Sequence, residues 1–106
     1  MKAVTVKEEN LNSEIEDCFG RAKYFYLFDE ISGNYEFCLN PGNDSLSDSG
    51  SKAASFLVSK GVKTIISRNI GIKAKQLLDK SEVQIVIAPL KYRFLAQITG
   101  LLKKSG

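Results

Sequence analysis

Val62-Lys63-Thr64-Ile65-Ile66-Ser67-Arg68-Asn69-Ile70-Gly71-Ile72 is the stretch on which the fold turns. Within Val62 to Ser67, Thr64-Ile65-Ile66 is β-branched and apolar, which reads as a buried strand. Ser67-Arg68-Asn69-Ile70-Gly71 then has the look of a turn. From Ile72 to about Asp79, Ala74, Leu77 and Leu78 share one face at helical spacing. Val83 to Ala88 follows as a nearly unbroken β-branched strand, the pattern expected where both sheet faces are covered. Strand, helix and strand in this order make a parallel crossover, almost always right-handed.

The flanking sequence extends this unit. Upstream, Ser49 or Ser51 caps a helix running through Lys60, with Ala54, Leu57 and Val58 on one face and Gly61 as its stop. Downstream, Pro89 precedes a last helix to about Lys104, striped by Phe94, Leu95, Ile98, Leu101 and Leu102. The first half reads differently. Ala3 to Val6 is a short strand, and residues 7–20 are a polar loop. Tyr24 to Phe28 is a second strand whose aromatics enter the core on alternating faces. Ile31-Ser32-Gly33-Asn34 is a turn, and Tyr35 to Leu39 alternates as a half-buried third strand. Residues 40–50 are a loop by composition.

The order is thus β-β-β-α-β-α-β-α. A meander followed by two crossovers predicts an α/β fold with a mixed five-stranded sheet in the order 3-2-1-4-5. Strand 2 is antiparallel, and there are three helices. This arrangement resembles the three-layer ribonuclease H-like fold. It also places the ends of strands 1, 3 and 4 at one sheet edge. The loop with Cys18, the loop from Asn40 to Gly50 and the turn from Ser67 to Gly71 then gather there, at a crevice where open α/β sheets bind ligands.

At 106 residues the chain is expected to be one domain, 1–106. No apolar run approaches a membrane span. The N-terminal apolar stretch is too short for a signal peptide, which points to a cytoplasmic protein with no membrane contact. The net charge of +3 argues against nucleic acid as a partner. That charge is unevenly spread. Residues 1–50 hold four Lys/Arg against ten Asp/Glu, a balance of −6, and residues 51–106 hold eleven against two, a balance of +9. The halves should attract one another. The basic half is either a set of solvated helix faces or a surface for an anionic partner.

With no histidine and two cysteines, histidine catalysis and a Cys/His zinc site are excluded. Cys18 precedes Phe19, Gly20, Arg21 and Lys23 in a polar segment, and it reads as a soft metal ligand or as a small apolar side chain. Arg21 and Lys23 are placed to neutralise an anion, or to pair with Glu14, Glu16 or Asp17. Cys38, between Phe37 and Leu39, reads as sheet-face packing, or as a second ligand if the strand ends meet. Gly50 and Ser51 open one helix; Arg68, Asn69 and Gly71 open the next. The free N–H groups of such helix starts attract anions, although Ser51 also reads as a plain cap. Lys91-Tyr92-Arg93 reads as a solvated helix start.

Three segments together resemble the dinitrogenase iron–molybdenum cofactor-binding family. They are Phe19-Gly20-Arg21-Ala22 with the strand Tyr24 to Asp29; Gly50-Ser51-Lys52-Ala53-Ala54 with Phe56-Leu57 and Lys60-Gly61-Val62; and Asn69-Ile70-Gly71 with Ala74. The resemblance departs at the residue before the Phe-Gly pair, commonly histidine and here Cys18. It also departs at Arg68, where a small residue is common, and at Ile72, where proline is common. It implies a non-catalytic binding or carrier protein for an iron–sulfur or iron–molybdenum-type cluster. Cys18 and Cys38 would be the candidate metal ligands. Phe19, Gly20, Arg21, Lys23, Gly50, Ser51, Arg68, Asn69 and Gly71 would form the surrounding cofactor site. A protein of cluster assembly would be the partner. The alternative is a small regulatory module that binds a phosphate-bearing metabolite or a protein through the same edge. A nuclease of the ribonuclease H type needs carboxylates on its first strand for two metal ions, and Ala3 to Val6 carries none.

Overall fold

The computed structural model describes residues 1–43 and 48–104. The elements are β1 (Lys2–Val6), a 3-10 turn (Phe19–Arg21), β2 (Tyr24–Phe28), β3 (Tyr35–Leu39), α1 (Ser49–Ser59), β4 (Thr64–Ser67), α2 (Ile72–Lys80), β5 (Gln84–Ile87) and α3 (Leu95–Lys104). They build a five-stranded sheet in the order β3-β2-β1-β4-β5. β2 runs antiparallel to both β1 and β3, whereas β1, β4 and β5 are parallel. This is the expected ribonuclease H-like arrangement, and it brings the ends of β1, β3, β4 and β5 to one edge.

Alternation along the strands divides the core into two layers. Ala3, Phe25, Leu27 and Ile65 face one side and pack against Ala53, Ala54 and Leu57 of α1 and Ala74 and Leu78 of α2. Val4, Val6, Tyr26, Phe28 and Ile66 face the other and pack against Leu95, Ile98 and Leu102 of α3. The aromatics divide the same way. Phe19, Phe25 and Phe56 stack under the helix pair, while Tyr26, Phe28, Tyr35 and Phe37 cluster on the α3 side. Gly61 ends α1 with φ of +84°, in the left-handed region that suits glycine.

Four expectations need correction. β5 is not covered on both faces. It is an edge strand, and Gln84, Val86 and Ile87 are exposed. The half-buried alternation expected of β3 is blunted for the same reason, with Tyr35, Glu36 and Leu39 exposed. α1 takes Asp48 as its N-cap, so Ser49 and Ser51 both lie inside the helix. Phe94 lies before α3 and is exposed, so it does not belong to the buried stripe. The Leu101 side chain of that stripe, and residues 44–47 of the loop from 40 to 50, lie outside the described residues.

Residues 7–20 are more organised than a polar loop. Ile15 pairs with Val6 beside β1, and Glu14 pairs with Phe94 ahead of α3. Ser13 and Ile15 are buried. A buried hydroxyl pair then joins β1 to β4. Thr5 Oγ1 donates to the Glu16 carbonyl at 2.8 Å, so the 2.8 Å contact between Ser67 Oγ and Thr5 Oγ1 uses the serine proton.

Candidate functional site

The loops at the sheet edge are fastened to one another by backbone bonds. Asn69 N–H donates to the Asp17 carbonyl at 2.7 Å, and Phe19 N–H donates to the Asn69 carbonyl at 2.9 Å. These rungs hold Cys18 beside Asn69 as a parallel bridge. Asn40, only 2% exposed, ties in the end of β3. Its side-chain amide donates to the carbonyls of Gly20 (3.2 Å) and Ala22 (2.8 Å), and its Oδ1 accepts from Gly42 N–H at 2.8 Å.

Gly20 sits directly on the start of α1. A Cβ there would lie 2.7 Å from Gly50 N and 2.8 Å from Ser49 Oγ, inside any tolerable contact. Gly50 in turn faces α2, where a Cβ would lie 3.2 Å from Ala74 Cβ. The glycines therefore let three backbones close together. Phe19 holds this packing from below, with its ring 1% exposed in the core.

A cleft of about 680 Å³ opens above these contacts. Cys18, Gly20 and Arg21 form one wall, and Ser49 and Gly50 at the start of α1 form the next. Arg68, Asn69 and Gly71 lead into α2, whose Lys75 also faces the cleft, and Ile85 and Ile87 of β5 give an apolar side. The starts of two helices thus border one volume. The Cys18 side chain is exposed there. Its own N–H donates to Glu16 Oε2 at 3.2 Å.

The structure separates the two arginines by role. Arg68 Nη1 pairs with Asp17 Oδ1 at 2.7 Å, and Nη2 reaches the carbonyls of Pro89 (3.2 Å) and Tyr92. The Arg68 side chain is 11% exposed and its charge is already matched. The ion pairs among the described residues join Met1 and Lys2 to Glu30, Lys7 and Arg93 to Glu14, and Arg68 to Asp17. Among the described residues no ion pair involves Arg21 or Lys75, and both line the cleft.

Most predicted site residues meet at this cleft, and three do not. Lys23 lies outside the lining, with its ammonium 5.7 Å from the Tyr24 ring centre. Ser51 lines a separate shallow depression with Pro41, Asp48 and Lys52. Cys38, opposite Phe25 on β3, packs against the core under α1 and donates to Glu36 Oε1 at 3.4 Å. Burial pushes its thiol pKa up, and the hydrogen bond and charge of Glu36 add to the shift. Cys38 does not join Cys18. Asn40, Ser49, Lys75, Ile85 and Ile87 were missed. A lysine one turn into α2, at i+3 from Ile72, was the one signal in the sequence for Lys75.

The fold and this edge define a class: a three-layer α/β protein whose sheet edge gathers an exposed cysteine, two helix starts, Arg21 and Lys75 around one cleft. The chain belongs to the dinitrogenase iron-molybdenum cofactor family, whose model matches residues 1–102. No curated protein matches it. Among solved structures it is similar to the apo form of the orange protein from Desulfovibrio gigas. The identity is 26% and the TM-score 0.83, over 93% of this chain and 82% of that one. It is also similar to a NifB-like protein from Thermotoga, at 30% identity and a TM-score of 0.79, over 99% of this chain and 87% of that one.

Proposed function

We propose that this chain, as one domain over residues 1–106, is a non-catalytic cytoplasmic carrier for an anionic metal–sulfur cluster or cofactor of the iron–sulfur or iron–molybdenum type. Its cargo would be received from, or passed to, a protein of cluster assembly. The observation that carries the reading is the exposed Cys18 sulfur in a cleft lined by two helix starts, Arg21 and Lys75. Family membership supports it.

The donor set narrows the cargo. Among the described residues, no three His, Cys, Asp or Glu side chains come together as a metal site. A bare ion needs such a ligand set. A preassembled cluster brings bridging ligands of its own. It needs one protein sulfur, hydrogen-bond donors for its outer atoms and positive charge to offset its own. Cys18, the helix starts at Ser49 and Gly71, and the two cations match that demand. Glu16, close to Cys18, opposes it and limits how much negative charge the cleft can accept.

Anaerobic reconstitution tests the proposal. Apo-protein incubated with a preassembled, thiol-ligated iron–sulfur cluster, then desalted, should retain iron and show charge-transfer absorption, and Cys18→Ala should lose both. Iron retention unchanged in Cys18→Ala overturns the assignment of the sulfur. Saturable binding of a nucleotide, with no iron retained, would favour the regulatory alternative.

A further inference from the structure

We infer that the outer edge of β5 is a docking site for an extended, acidic segment of a partner protein, which adds to the sheet as a sixth strand. The edge is open in a specific way. Gln84 N–H donates to the Lys63 carbonyl and Ala88 N–H to the Ser67 carbonyl, both at 2.8 Å. Even-numbered residues of β5 therefore bond inward to β4, and alternation turns the N–H and C=O of Ile85 and Ile87 outward. Natural sheets shield such edges with charges, prolines or bulges. Gln84-Ile85-Val86-Ile87 contains no charge and no proline, and it pairs with β4 in unbroken register.

Both faces beside this edge are apolar and accessible. Val86 is 38% exposed and Ile87 58%. On the α3 side, Val86, Ile66, Pro89 and Tyr92 border a groove of about 350 Å³, which would take alternate side chains of an added strand. On the other side, Ile85 and Ile87 border the cleft with Cys18.

Charge selects the occupant. Exposed Lys63, Lys80 and Lys91 outnumber the exposed acids Asp79 and Glu82 on the segments around β4 and β5, and Lys2 borders the groove itself. A β5–β5 pair between two copies would set two basic halves side by side. A β5–β3 pair between copies would be head-to-tail, building a ring or a filament and not a simple pair. An apolar-alternating strand with acidic flanks satisfies both the groove and the charge. A strand seated there would continue the wall formed by Ile85 and Ile87. Its part in cargo exchange rests on the carrier reading, and the docking itself does not.

The test uses full-length, metal-free protein and a synthetic probe of about nine residues, alternating valine and threonine between pairs of aspartates. Amide exchange followed by NMR should show the N–H groups of Ile85 and Ile87 protected on probe addition, with saturation. Val86→Glu, outside the cargo cleft, should weaken binding about tenfold through a like charge in the groove. Lys80→Glu with Lys91→Glu should weaken it similarly, and far-UV circular dichroism should report unchanged folds. Three results overturn the inference: no protection at Ile85 and Ile87, equal protection by a lysine-ended probe, or protection that follows protein self-association in sedimentation. Iron retention by Cys18 is a separate measurement, so failure here leaves the carrier reading standing, and the reverse also holds.

Discussion

Gly20 and the two cysteines are where single side chains matter most. Gly20 needs no unusual φ; what it needs is space, because a methyl group would strike the backbone of Gly50. The space behind Gly50 is limited, since even a Cβ added there would lie 3.2 Å from Ala74 Cβ. Gly20→Ala should therefore destabilise the protein by about 1–3 kcal/mol, the usual range for overpacking, read as a fall in urea midpoint. The thiols should differ in kind. Cys18 is exposed, whereas the Cys38 thiol is partly buried with its pKa raised. Iodoacetamide near neutral pH should label Cys18 first and leave Cys38 largely unmodified until denaturant is added, as mass spectrometry of peptides would report. Equal labelling in the folded state would contradict the packing of Cys38 against the core.

At the level of elements, Arg68 decides how β4 is joined to its surroundings. Its guanidinium reaches the loop after β1 through Asp17 and the turn before α3 through Pro89 and Tyr92. The two kinds of contact differ in worth. Asp17 is 61% exposed, so its half of the pair is screened, and Asp17→Asn should cost at most about 1 kcal/mol. Arg68→Met strips donors from two carbonyls and should cost about 2–3 kcal/mol in denaturant unfolding. Equal effects would mean that the ion pair, not the carbonyl bonds, is the fastening.

This role could not be read from the sequence. The partners of Arg68 lie 51, 21 and 24 residues away, so only the assembled edge reveals them. Asn40 was hidden in the same way, because its side chain serves carbonyls 20 and 18 residues distant. Strand order was legible because period and crossover rules are local. The exposure of β5 was not, since a β-branched run reads the same in a central strand and at an edge. Cys18, Gly20, Arg21, Asn69 and Gly71 each sit near the end of a strand or the start of a helix, and they border one cleft. Lys23, Ser51 and Cys38 are their neighbours in sequence and lie outside that lining.

Across the whole molecule, the acidic and basic halves meet through Arg68 with Asp17 and Arg93 with Glu14. The Arg93 hydrogen bond and charge hold the Glu14 carboxyl below its usual pKa, and the backbone N–H groups of Ile31 and Ser32 do the same for Asp29. A depressed folded-state pKa gives stability that is present above the unfolded value and lost as pH falls through the folded one. Melting temperature should therefore decline as pH drops below about 4, the ordinary carboxylate range. Glu14→Gln should flatten part of that decline. An unchanged acid limb in this variant would remove Glu14 from the account. No helix among the described residues is long and apolar enough to cross a membrane.

The rungs between Asp17, Phe19 and Asn69, with the Asn40 clamp, have one more consequence. If the proposed carrier role holds, they complete the receptor during folding, so an arriving anion would find little left to order and its capture would forfeit little chain entropy. Unloading would then not come from melting the rim, which is bonded to the sheet beneath it, but from a competitor that grips the guest more strongly.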